Sequence, residues 1–127
     1  MSPTTILIAD DETHILNVLS MKFQHSGLNV LAAEDGAEAL RLARSALPDL
    51  IITDYQMPRM SGLELCSRLN SDPATQNIPV ILLTARGFSI GETQIGSPNI
   101  RFVMGKPFSP REVLARVQEL LSAAAPA

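Results

Sequence analysis

The feature that most constrains the fold is a series of short apolar runs separated by segments with helical spacing. Five runs occur, at Ile6–Ala9, Leu28–Ala33, Leu50–Ile52, Val80–Leu83 and Ile100–Met104. A strand with one solvent-exposed face would alternate polar and apolar residues, whereas these runs are nearly continuous. They therefore predict strands of a parallel sheet that is covered on both faces.

The segments between the runs have the pattern of helices, and three of them follow a capping residue. Asp35, Ser61 and Ser109 each stand three positions before a glutamate, as in or close to a capping box. Apolar residues three and four positions apart then predict helices. These are Thr13–Gln24, Ala37–Leu47, Leu63–Leu69 and Val113–Leu121.

A further helix is expected between the last two strands, but its sequence is poor for one. Gly87, Gly91, Gly96 and Pro98 interrupt the segment 86–98. Each interior glycine costs about 1 kcal/mol relative to alanine. We therefore expect this fourth helix to be weak or irregular, with at most about two turns.

The alternation of strands and helices predicts one α/β domain with a doubly wound, five-stranded parallel sheet. A length of 127 residues suits a single domain. We place this domain at residues 1–122 and expect the Ala/Pro tail at 123–127 to resemble the start of a linker.

Composition excludes several classes of function. The apolar runs are far shorter than the ~18–20 residues of a membrane-spanning helix. The net charge is −3 and there is no basic run, which argues against nucleic-acid binding by this chain itself. The single cysteine, Cys66, cannot form an internal disulfide and suits a reducing, cytoplasmic location.

Chemically active residues follow the ends of four apolar runs. In a doubly wound sheet, ligands bind beyond the carboxyl ends of the strands, where the strand order reverses. We therefore expect one cluster at that edge. Its members are three carboxylates, one hydroxyl and one ammonium: Asp10, Asp11, Asp54, Thr84 and Lys106, with Glu12 next along the chain after Asp11.

The chemistry of this set points to phosphoryl transfer. Neighbouring carboxylates repel by about 4 kcal/mol per close pair at an effective dielectric constant of 20, unless a cation intervenes. A cluster of oxygen donors suits a hard ion such as Mg²⁺. Lys106 and Thr84 add a positive charge and a hydrogen-bond donor for phosphoryl oxygens, and a carboxylate can act as the nucleophile.

Four segments resemble the receiver domain of bacterial response regulators such as the chemotaxis regulators. These segments are residues 6–12, 49–62, 82–85 and 106–108. The resemblance covers essentially the whole chain. The resemblance implies a flavodoxin-like fold and a role in two-component signalling. It also implies a protein that is not an enzyme in the usual sense, but catalyses its own phosphotransfer and dephosphorylation.

The resemblance assigns a role to each site residue. It implies that Asp54 accepts a phosphoryl group from the phosphohistidine of a histidine kinase or phosphotransfer protein, while Thr84 and Lys106 contact that group. It implies a Mg²⁺ site formed by Asp10, Asp11, Asp54 and the carbonyl of Gln56. The signal would then pass to a downstream protein target or an output domain, directly or through a phosphorelay, without direct contact with nucleic acid or membrane.

The chain departs from the family in the glycine-rich segment 86–98 and at one position of the last strand. The family usually has an aromatic residue three positions before the lysine, where this chain has Val103, with Phe102 one position earlier. Three competing functions stay open. A haloacid-dehalogenase-like phosphatase uses similar residues, but places its nucleophile after the first strand. A flavodoxin-like electron carrier and a pseudo-receiver that only binds partners are the second and third.

Overall fold

The computed structural model describes residues 4–84, 98–106 and 108–124, and in these residues a helix follows each of the first three strands and the last strand, as predicted. The strands are β1 (Thr5–Ala9), β2 (Asn29–Ala33), β3 (Leu50–Asp54), β4 (Val80–Thr84) and β5 (Ile100–Gly105). The helices are α1 (Thr13–His25), α2 (Gly36–Ala46), α3 (Gly62–Asn70) and α4 (Pro110–Ala124). The irregular helix predicted at 86–98 falls almost wholly outside the described residues.

The five strands form one parallel sheet in the order β2-β1-β3-β4-β5. This confirms the doubly wound, flavodoxin-like arrangement. From β1 the chain moves outward to β2 and then returns to the other side of β1 to form β3. The strand order thus reverses between β1 and β3, and a crevice is expected beyond their carboxyl ends.

The continuous apolar runs are explained by two cores, one on each face of the sheet. Leu7 and Ile51 pack toward α2 and α3, whereas Ile6 and Ile52 pack toward α1 and α4. Fully burying a side chain of this size contributes about 1.5–3 kcal/mol. The edge strands β2 and β5 are only partly buried, so cover on both faces is complete only for β1, β3 and β4.

Two predicted helix caps are present. The Asp35 side chain accepts a hydrogen bond from the Glu38 N–H at 2.8 Å, and the Ser61 hydroxyl accepts one from the Glu64 N–H at 3.1 Å. Helix α2 ends one residue before the predicted Leu47, because Leu47 adopts a left-handed conformation with φ 49°. Such a residue cannot continue a right-handed helix.

Within residues 4–84, 98–106 and 108–124, no helix combines the length and apolarity needed to cross a bilayer. Helix α4 extends to Ala124, two residues into the predicted tail. The rest of the tail lies outside the described residues.

Candidate functional site

Four of the predicted site residues lie together at the carboxyl edge of the sheet. Asp10 directly follows β1, Asp54 ends β3, Thr84 ends β4 and Lys106 directly follows β5. Asp10, Asp54 and Thr84 are buried, with 0%, 7% and 3% of their surface exposed. The four positions that the sequence predicts at one edge of the sheet are therefore found there, and three of the side chains are largely shielded from water.

The Lys106 ammonium joins the cluster. Its Nζ lies 3.1 Å from Asp10 Oδ2 and 3.3 Å from Asp54 Oδ1. The Lys106 backbone N–H donates to the Thr84 carbonyl oxygen at 2.8 Å, which ties the segment after β5 to the end of β4. One cation thus bridges the carboxylates at the ends of β1 and β3.

Glu12 is a site residue to which sequence reasoning gave no role. Its Oε1 lies 3.3 Å from Lys106 Nζ, so this exposed carboxylate is a third partner of the ammonium. Its position two residues after Asp10 was the available signal. Its contact with Lys106, 94 residues later in the chain, depends on the tertiary fold and has no signal in the local sequence.

The electrostatics of the site reflect an excess of negative charge. Burial first, and then the charge of Asp10, raise the pKa of Asp54 from its ordinary 3.8 to about 6, although Lys106 opposes the shift. Burial also raises the pKa of Asp10. Burial lowers the pKa of Lys106, but the surrounding carboxylates outweigh that effect and the net change is upward. An additional cation would relieve this charge.

A hard cation fits the donors that the structure brings together. Carboxylate oxygens of Asp10, Asp11 and Glu12 lie within 4.8 Å of one another. Oxygen donors of this kind suit Mg²⁺. Asp54 adjoins this group across Lys106, whereas Gln56 is exposed two residues beyond β3. Coordination by the Gln56 carbonyl stays a prediction.

The backbone of the acceptor candidate is held by close packing around the β3–α3 loop, residues 55–61. The Tyr55 N–H donates to the Leu83 carbonyl at 2.7 Å, and the Gly62 N–H donates to the Tyr55 carbonyl at 2.8 Å. A Cβ at Gly62 would collide with the Asp54 carbonyl oxygen and lie 3.1 Å from Leu82 Cδ1. A glycine is therefore required beside Asp54.

The far end of the same loop is attached to α2. Arg59, in a left-handed conformation with φ 70°, pairs with the capping residue Asp35 at 2.7 Å. A Cβ at Gly36 would collide with the Met60 backbone and side chain. Both contacts involve the start of α2, so that end of the helix supports the loop that follows Asp54.

Phe102 does not replace the aromatic residue missing at Val103. Phe102 faces the core between the sheet and helices α1 and α4, where the Arg116 guanidinium lies 5.6 Å from its ring centroid. Successive residues of a strand point to opposite faces. Val103, which pairs with Leu82 in the sheet, therefore lies on the other face.

The chain is similar to known proteins over most of its length. A model of the response regulator receiver domain matches residues 6–118. The chain is 38% identical over 119 residues to the alkaline phosphatase synthesis transcriptional regulatory protein PhoP of Bacillus subtilis, which covers 91% of this chain and 48% of PhoP. The chain thus spans about half the length of this curated relative.

Solved structures share the fold. The receiver domain of Francisella response regulator 1452 superposes with a TM-score of 0.87 at 31% identity, covering 98% of this chain and 100% of that one. The receiver domain of sensor histidine kinase PA1611 from Pseudomonas aeruginosa gives a TM-score of 0.83 at 22% identity, covering 93% and 97%. That structure has a magnesium ion coordinated in its active site cleft.

Proposed function

The chain belongs to the family of response regulator receiver domains, and on this premise we propose that Asp54 is its phosphoryl acceptor. Receiver domains are the phosphorylation-dependent signalling modules of two-component systems, rather than enzymes in the usual sense. The observation that carries the proposal is the position of Asp54. It ends a central strand beside the switch point, with its Oδ1 3.3 Å from the Lys106 ammonium.

The proposed reaction is nucleophilic. An ionised Asp54 oxygen attacks phosphorus, a P–O bond forms, and the P–N bond to the donor imidazole breaks while that imidazole takes up a proton. A pKa of about 6 leaves Asp54 mostly ionised at neutral pH, which keeps the nucleophile available. Lys106 stands beside the oxygen that would receive the group, and the buried Thr84 at the end of β4 would donate a hydrogen bond to it.

We further propose that Asp10, Asp11, Asp54 and the Gln56 carbonyl hold Mg²⁺. When bound, this ion would offset the charge of the carboxylates and of the transferred group. The oxygen donors after β1 and the raised pKa values of Asp10 and Asp54 support the assignment. The same residues would also support hydrolysis of the aspartyl phosphate, so that the domain catalyses its own dephosphorylation.

The proposed donor is a histidine kinase or a phosphotransfer protein. A groove of about 560 Å³ opens beside Lys106 between α1 and the start of α4. Its lining combines polar and apolar residues: Glu12, His14, Ile15, Val18, Lys106, Phe108 and Pro110. A helix that presents a phosphohistidine could lie in this groove and reach Asp54, which supports docking of the donor on this face.

The remaining assignments follow the family and the charge. We propose that the receiver occupies residues 1–122, that 123–127 begins a linker, and that the partner downstream is a protein target or output domain. The net charge of −3 supports a protein partner over direct contact with nucleic acid. The lone, buried Cys66 supports a cytoplasmic location. We propose no membrane as a partner.

Incubation with acetyl phosphate and Mg²⁺ tests the proposal and separates it from a phosphatase. We expect the wild-type protein to retain one phosphoryl group that hydroxylamine removes, and Asp54→Asn to retain none. Asp49, an exposed aspartate directly before the first residue of the same strand, provides the matched control, and Asp49→Asn should label normally. Continuous turnover of donor without a retained group would indicate a phosphatase and overturn the assignment.

A further inference from the structure

The Lys106 ammonium has a full set of acidic partners. Among the described residues its Nζ contacts Asp10 Oδ2 at 3.1 Å, Asp54 Oδ1 at 3.3 Å and Glu12 Oε1 at 3.3 Å. A lysine ammonium has three N–H donors. If Lys106 is to bind an oxygen of a phosphoryl group on Asp54, one of these carboxylates must give up its place.

Asp10 is poorly suited to lose its contact with Lys106. Its side chain is fully buried, and its other oxygen, Oδ1, accepts the Glu12 backbone N–H at 2.9 Å. Breaking a buried pair by removing one partner strands a charge away from water, which is strongly unfavourable. Asp54 is the acceptor itself and stays in the site.

Glu12 has the opposite properties. Its side chain is 58% exposed, so water can solvate the carboxylate once it leaves Lys106. The Glu12 backbone is nevertheless fixed, because its carbonyl accepts the N–H groups of Ile15 and Leu16 in the first turn of α1. The carboxylate can therefore move without disturbing the helix.

A second observation concerns the same residue. Glu12 is the N-cap residue of α1, yet across this fully described helix its side chain makes no capping hydrogen bond. Ser, Thr, Asp and Asn are the residues that normally cap, and they stabilise helices by about 1 kcal/mol relative to alanine. The glutamate at this position reaches the ammonium instead of the helix end.

From these contacts we propose that Glu12 is a positioning residue that holds Lys106 in the unphosphorylated site and is displaced when a phosphoryl group arrives. This role rests on the proposed phosphorylation of Asp54. Glu12 is then a competitor of the phosphoryl group for one N–H of Lys106. Weakening its contact should make Lys106 more available and speed phosphorylation.

Two variants, Glu12→Asp and Glu12→Gln, distinguish the contact of Glu12 with Lys106 from the negative charge of Glu12. Aspartate keeps the negative charge but is one methylene shorter, so it loses the contact with Nζ. It is also a favourable N-cap residue, so α1 should remain folded. Glu112→Asp, an equally conservative change at an exposed position in the first turn of α4, is the control.

The first readout needs neither metal nor phosphodonor. The chain has two lysines, Lys22 and Lys106, so Lys22 serves as an internal reference for limited acetylation followed by mass spectrometry. We expect both Glu12 variants to raise the modification of Lys106 relative to Lys22 by about two- to fivefold, the range that corresponds to an exposed ion pair. Glu112→Asp should leave this ratio unchanged.

The second readout is the initial rate of labelling by acetyl phosphate at saturating Mg²⁺, which should rise by a similar factor in both variants. A Glu12→Asp variant that behaves like wild type in both assays would overturn the proposal, since charge alone would then act. Weaker Mg²⁺ binding with slower labelling would overturn it in favour of a metal ligand. If acetyl phosphate does not phosphorylate the wild-type protein, both the displacement of Glu12 and the proposed function are refuted. The acetylation ratio of Lys106 to Lys22 still tests the contact between Glu12 and Lys106.

Discussion

Replacing Asp54 by asparagine should stabilise the metal-free protein at neutral pH. Asp54 is buried next to Asp10, and Lys106 is shared between both of these and Glu12. Burial and the charge of Asp10 raise the pKa of Asp54 from 3.8 to about 6. The ionised form of Asp54 is therefore unfavourable in the folded state.

The size of the effect follows from that difference in pKa. A change from 3.8 to about 6 corresponds to about 3 kcal/mol between the protonated and ionised forms. Hydration at the open edge of the cluster reduces this value, so we expect Asp54→Asn to raise the free energy of unfolding by about 1–3 kcal/mol at pH 7.5.

The sign of the pH dependence is determined by the raised pKa. Between about pH 4 and pH 6 the folded protein holds the Asp54 proton more tightly than the unfolded chain, so wild-type stability falls as pH rises through this window. Asparagine cannot titrate. The stability difference between variant and wild type should be small below about pH 4, grow up to about pH 6 and then remain constant.

Urea denaturation in the presence of a chelator, measured at intervals from pH 4 to pH 8, gives this difference directly. Glu34→Gln, which removes the same single charge from an exposed position, is the control and should change stability little at any pH. An Asp54→Asn variant no more stable than wild type at pH 7.5, or a difference that does not vary with pH, would refute the reasoning.

Two further predictions concern the supports of the site. Gly62→Ala should lower the free energy of unfolding by about 1–3 kcal/mol and slow labelling on the order of tenfold to a hundredfold, because its Cβ would displace the Asp54 carbonyl. Gly27→Ala, where φ is 85° but the space is open, should lose stability and label at the normal rate, and equal labelling of both variants would contradict the account. Asp35→Ala should lower the melting temperature more than Arg59→Ala, since Asp35 both caps α2 and pairs with Arg59. The hydrogen bond from the Glu38 N–H is the main cause that lowers the pKa of Asp35. The stabilisation by the ionised Asp35 side chain should therefore be present above about pH 4 and lost at lower pH. Equal melting temperatures of Asp35→Ala and Arg59→Ala at neutral pH would refute this prediction.

The parts of the fold that the sequence predicts are those governed by local rules. Continuous apolar runs identified the strands, and the capping residues Asp35 and Ser61 located the starts of α2 and α3. The end of α2 was less well defined, because Leu47 takes a left-handed conformation that glycine usually marks. The start of α1 lacked a cap signal, since the side chain of Glu12 serves Lys106.

The positions of the site residues at one edge of the sheet were predictable, but the contacts between them were not. The topology of a doubly wound sheet is enough to bring Asp10, Asp54, Thr84 and Lys106 to one edge. Which partners Lys106 selects depends on side-chain geometry across 94 residues of chain, and the pairing of Arg59 with Asp35 depends on a loop conformation. These are tertiary effects that have no local signature.

The most direct test of the central claim is to map the phosphorylated residue itself. Borohydride converts an aspartyl phosphate to homoserine, and trypsin should release residues 45–59 as one peptide that contains both Asp49 and Asp54. After treatment with acetyl phosphate and Mg²⁺, we predict homoserine at position 54, none at 49, and none at either position when Mg²⁺ is chelated. Homoserine at any other aspartate, with Asp54 unmodified, would contradict the assignment of Asp54 as the acceptor.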